Sequence, residues 1–68
     1  MKFTEAIYLG DGTLRLYNST SEGSGFVILV HPFTDVELLS IPQYGGEERH
    51  EGWYETIGCA LKEAEKWT

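Results

Sequence analysis

Phe26-Val27-Ile28-Leu29-Val30 is the longest apolar run in the chain. It is far too short to cross a bilayer, which takes about 20 residues as a helix. Val27, Ile28 and Val30 are β-branched and favour extended backbone. A strand that is apolar at successive positions has no solvent side, so both of its faces need cover. A chain of 68 residues has one domain, residues 1–68, in which to supply that cover.

The flanking segments read as further strands. Phe3 to Leu9 alternates enough for a strand with Phe3, Ile7 and Leu9 on one face. Glu5 interrupts that face, which marks an edge. Gly10-Asp11-Gly12 is a turn signal. Beyond it, Leu14 and Leu16 fall on one side and Arg15 and Tyr17 on the other, which completes a hairpin. Residues 19–25 form a polar, glycine-rich loop before the apolar run. Pro32 ends that run, and residues 36–41 make the next strand, with Val36, Leu38 and Ile41 available to the core. Pro42 stops it.

The last third ends in a helix. Ile57, Ala60, Leu61, Ala64 and Trp67 recur at helical spacing, with Glu55, Lys62, Glu65 and Lys66 on the other side. Two starts compete. Gly52 could cap a longer helix containing Trp53, or Thr56 could cap a shorter one with its hydroxyl. Thr56 is preferred, because Trp53-Tyr54 favours a strand and Gly58 weakens a long helix. His50 to Glu55 then becomes a strand with Trp53 facing in. The expected fold is α+β: a small antiparallel β-meander of three or four strands packed by one C-terminal α-helix.

Hydrophobic residues make up 41% and charged residues 24%, a balance that folds rather than staying disordered. Eleven acids against five bases give a net charge of −6. Such a surface repels phosphate backbones and anionic lipid, so direct nucleic-acid and membrane binding are not expected. It suits solubility, and it suits a protein partner with a basic surface. The segment Met1 to Gly12 lacks the apolar core of a signal peptide, which points to a cytoplasm, a host cell's if the source is viral. Cys59 is the sole cysteine, so no disulfide within the chain can form.

The most chemically loaded segment is Tyr44 to Gly58, with two glycines at its start, four glutamates, Arg49, His50, Trp53 and two tyrosines. Its His50-Glu51 pair has no second histidine four residues after the first, so the zinc-protease pattern fails. His31, His50, Cys59 and the glutamates lack the paired short spacings of a closed zinc site. No metal or other cofactor is expected. A nucleophile could arise from Cys59 with His31 or His50, but Cys59 projects away from the Ile57/Leu61 stripe and reads as a boundary cysteine. Paired carboxylates such as Glu47-Glu48 or Glu51 with Glu55 need a pocket for acid–base work, and so short a chain has little volume for one. No enzyme activity is expected.

Recognition of another protein remains. Interface anchors favour Trp, Tyr and Arg within a rim that excludes water. The expected partner-binding set is Tyr44, Glu47, Glu48, Arg49, Glu51, Tyr54 and Glu55. In size and charge the chain resembles the general profile of small phage-encoded inhibitors of host defence, including anti-restriction and anti-CRISPR proteins. No motif carries that resemblance and it assigns no residue. It implies an inhibitor or modulator acting on a basic, nucleic-acid-binding surface, such as that of a nuclease or a nucleic-acid-guided complex. An alternative is an antitoxin-like or accessory subunit that self-associates as a homodimer. A third is a small enzyme or ligand-binding domain using Cys59, His31 or His50. The boundary role expected of Cys59 predicts thiol labelling at the rate of an ordinary surface cysteine, and rapid alkylation at about pH 6 would show an activated thiolate instead.

Overall fold

The computed structural model describes residues 3–19, 25–42 and 46–66. Five strands run in chain order: β1 Glu5–Tyr8, β2 Leu14–Ser19, β3 Gly25–Val30, β4 Val36–Ile41 and β5 Arg49–Tyr54. The helix α1 follows at Ile57–Glu65. All neighbouring strands pair antiparallel in one sheet of order β1-β2-β3-β4-β5. The α+β meander with a C-terminal helix is therefore present, with five strands rather than three or four. The two edge strands are held differently. β1 is exposed along its length and is held by backbone pairing to β2. β5 is polar in composition and pairs with β4 through a bulge between Leu38 and Leu39.

The apolar run lies in the middle strand, and Phe26, Val27 and Ile28 are fully buried. Phe26 and Ile28 face the helix with Val36 and Leu38 of β4 and the small residues Ala60 and Ala64 of α1. The two alanines let the helix sit close to the sheet. Leu16, Val30, Ile57, Leu61 and Tyr54 close the rim of this core. Gly52 makes room for Tyr54: a β-carbon at that position would lie 3.2 Å from the tyrosine hydroxyl and 3.3 Å from its ring. The Tyr54 ring can therefore lie back along its own strand, toward the row that holds Leu38.

Local chemistry fixes the start of the helix and the first turn of the sheet. Thr56 has extended backbone and its hydroxyl accepts from the Cys59 amide at 3.1 Å, the N-cap expected from sequence. A cap of this kind contributes about 1 kcal/mol. In the β1–β2 turn the Asp11 carboxylate accepts from the Thr13 amide at 2.9 Å, and Gly12 takes the positive φ of 96° that its neighbours would resist. A β-carbon on Gly12 would sit 3.3 Å from Pro32, so this turn rests against the β3–β4 connection.

Three side-chain placements differ from the sequence reading. Phe3 and Ile7 do not share a face. The chain bends at Thr4, whose amide donates to the Tyr17 carbonyl at 2.7 Å, and Phe3 meets Phe26 edge-on at 6.5 Å between ring centres. Ile7 pairs with Arg15 on the face away from the helix. Ile41 also alternates onto that far face, leaving Val36 and Leu38 as the core residues of β4. Trp53 points away from the helix and is 53% exposed. Trp67 of the helical stripe lies outside the described residues.

A domain of 68 residues at about 0.05–0.15 kcal/mol per residue has only roughly 3–10 kcal/mol of stability. Leu38→Ala, at the centre of the core, is expected to remove about 2–5 kcal/mol and to leave a chain close to its folding limit. Urea denaturation measures this directly, and a loss under about 1 kcal/mol would show that the core is not centred on this residue.

A histidine–glutamate–tryptophan cluster on the free sheet face

The helix covers one face of the sheet, against β3, β4 and β5. On the other face the register places side chains in two rows. One row runs Ile7, Arg15, Leu29, Glu37, Trp53, and the next runs Glu5, Tyr17, Val27, Leu39, His50. Among the described residues, no second layer of strands or helices lies over these rows. Val27 is nevertheless fully buried and Leu39 nearly so, and polar side chains bond to one another across this face.

Arg15 shows how. Its Nε donates to the Tyr17 hydroxyl at 2.7 Å and its guanidinium carbon lies 5.1 Å from that ring's centre. Its Nη2 donates to both carboxylate oxygens of Glu48, the longer contact at 2.7 Å. Glu48 leads into β5, so the pair bridges the face from β2 past β3 and β4. Partial burial pulls the Arg15 pKa down, but the bonds to Glu48 and Tyr17 outweigh it and leave it raised. This is the one permanent cation on the two rows, and it is already neutralised.

At the other end of the rows Glu37 sits between two histidines. His31 Nε2 lies 3.2 Å from one carboxylate oxygen and His50 Nδ1 lies 2.8 Å from the other. Trp53 adjoins both rings, at 5.6 Å from His31 and 5.5 Å from His50 between centres. The Glu37 side chain is only 17% exposed. A carboxylate only accepts, so the ring nitrogens that face it, His31 Nε2 and His50 Nδ1, are the donors. The histidines thus clasp a carboxylate rather than converge on an ion. Among the described residues, no group of three or more histidine, cysteine or acidic side chains is arranged to hold a metal. Asp11, in the turn beside this end, has its carboxyl held below the usual value, first by the Thr13 amide bond and only slightly by His31. Its stabilising contribution is present above pH 3.8 and fades as pH falls through the lowered value.

The described residues expected from sequence to bind a partner lie on β5 and directly beside it, in different settings. Glu48 is committed to Arg15. Glu51 accepts from the Ser40 hydroxyl at 2.7 Å. Tyr54 is half-buried on the helix side. Glu47, Arg49 and Glu55 are exposed, and Tyr44 lies outside the described residues. His31 and His50 come together, while Cys59 is exposed on the helix, on the opposite side of the sheet. The sequence reading missed Glu37 and Phe33. Phe33 is 95% exposed in the β3–β4 connection, two residues from His31. The signal for Glu37 was a lone acid within an apolar strand.

The chain matches no known protein family, no curated protein and no solved structure. No described helix is long and apolar enough to cross a membrane.

The Arg15–Glu48 bridge is expected to couple its two residues by about 1 kcal/mol, the upper end for a pair near the surface. A double-mutant cycle with Arg15→Met and Glu48→Gln, read by urea denaturation, checks this, and additive losses would show that Tyr17 alone holds the arginine.

Proposed function

We propose that this protein is a small, non-catalytic binding module that docks on a basic surface of another protein through the free face of its sheet. One observation carries the reading. That face has no second layer among the described residues and presents a half-exposed Trp53 beside an acid, while its one permanent cation is already paired. Buried aromatic anchors dominate most interfaces, and Trp is the most enriched of them. The net charge of −6 steers such a surface toward a cationic partner. Exposed Glu47 and Glu55 flank β5 in sequence and extend the acidic rim. A groove that binds nucleic acid is a fitting target, because carboxylates can stand where phosphates would lie. An inhibitor or modulator of a nuclease or of a nucleic-acid-guided complex is the concrete form of this proposal.

A second reading is self-association as an antitoxin-like or accessory subunit. It is favoured by β1, a short edge strand exposed at all four positions, whose outer backbone groups can pair with another strand.

Affinity capture from a cell extract at low and high salt, followed by mass spectrometry, separates the two. The expected result is a basic protein whose recovery falls about tenfold or more at high salt, and similarly with Trp53→Ala or with Glu47→Lys and Glu55→Lys together. Recovery of the chain's own copies would favour self-association. A partner indifferent to salt and to all three substitutions would overturn the proposal.

A further inference from the structure

We infer that His31, Glu37, His50 and Trp53 form a receptor for one cationic side chain, an arginine of the basic partner, and that protonation of the two histidines closes it. This deepens the proposed function and rests on it.

The receptor is defined by what surrounds Glu37. Each of its oxygens accepts one imidazole N–H, at 3.2 and 2.8 Å. A carboxylate oxygen has a second acceptor site, so each remains able to take one more donor. Trp53 neighbours Glu37 directly across the β4–β5 pairing and is half exposed. An indole face attracts a cation within about 6 Å of its centre. Arginine suits the pair better than lysine, because its planar guanidinium can stack on the indole while its edge donates to the carboxylate. An anion is disfavoured, since Arg15 is held by Glu48 and Tyr17 and cannot supply a counter-charge.

The same geometry makes binding proton-linked. With both imidazoles neutral the cluster carries one negative charge, and with both protonated it carries one positive charge. The surrounding groups add fixed negative charge before and after that change. Asp11 in the β1–β2 turn is electrostatically coupled to His31, Asp35 is exposed in the β3–β4 connection, and Arg15 on β2 is balanced by Glu48. The two positive charges added on protonation therefore act where the arginine would sit. Histidine is the side chain suited to such a switch under physiological conditions.

The test uses a defined probe on the full chain. N-acetyl-arginine methylamide is titrated while the Trp53 indole and the His31 and His50 ring resonances are followed by NMR. The citrulline analogue, which is uncharged and nearly the same shape, serves as control. At about pH 8 the arginine compound is expected to shift these resonances, and the citrulline compound to bind about fivefold more weakly or worse. Lowering the pH to about 5 is expected to weaken the arginine response about fivefold or more, and an arginine response indifferent to pH would remove the proton linkage. Glu37→Gln is expected to weaken it about fivefold, and Trp53→Leu similarly. Glu37→Asp keeps the charge but shortens the reach, so it serves where Glu37→Gln loses the dispersed spectrum of a folded chain. Equal binding of citrulline, an unchanged response in every folded Glu37 variant, or no shift of the cluster resonances overturns the inference. If salt-sensitive capture of a basic protein persists in that case, only the receptor falls. Arginine binding without any basic partner in the capture would overturn the proposed function instead.

Discussion

Five strands are covered by a single short helix, and this shortage of cover governs the molecule. At about 1.5 Å per residue the nine residues of α1 are about 14 Å long. Five strands at about 4.8 Å spacing are about 19 Å across. The helix therefore shelters only part of one face, and it lies on β3, β4 and β5. Phe3 extends that cover toward the first strands by turning back at Thr4 onto Phe26. Ala60 and Ala64 bring the helix axis near the sheet, so that a small helix seals the centre completely even though it cannot reach the edges.

The far face has to be sheltered without an element to do it. Val27 is as buried as Phe26, and polar residues bond to one another across the same face. Long charged side chains cover apolar surface with their stems while their heads stay in water. Arg15, Tyr17 and Glu48 do so at one end of the rows, and His31, Glu37 and His50 hold one another at the other. Among the described residues, no buried side-chain nitrogen or oxygen lacks a hydrogen-bond partner, so this polar cover is complete as far as it extends. The result is a face that resists sheet-on-sheet stacking while still hiding the second side of β3.

Much of this was legible in the sequence wherever the signal was local. The doubly apolar run marked β3, Gly10-Asp11-Gly12 marked the first turn, and Thr56 marked the helix start. The free-face cluster was hidden because it depends on register. His31 and His50 stand six and thirteen residues from Glu37, distances that no motif encodes. Strict alternation along Arg49 to Tyr54 would place His50 on one face with Gly52 and Tyr54, and Trp53 on the other. The bulge opposite Leu38 and Leu39 inserts Glu51 as an extra residue, and His50 is thereby moved to the face of Trp53. All five strand segments were read from the sequence, and only their number was set too low. β5 contains Arg49, Glu51 and Gly52, a composition poor in strand preference, and it is held by its neighbour rather than by its own residues.

The same bulge gives the exposed tryptophan its second imidazole neighbour. An apolar ring with no layer above it could have been accommodated on the helix side, where Gly52 already opens space for Tyr54. Instead Trp53 lies across from Glu37 near His31, and the register shift brings His50 beside it. The rest of the face hides its apolar atoms under polar stems, and β1 carries Glu5 at its exposed edge, a charge that discourages unwanted strand pairing. Against that pattern Trp53 and Phe33 are the large apolar side chains left open near the cluster, at the end of the sheet where the polar cover stops. Burying Trp53 against a partner would place Glu37 in a drier environment, where an unpaired charge becomes costly. A cationic group arriving with the partner removes that cost, so the aromatic anchor and the demand for a positive charge are two consequences of one arrangement.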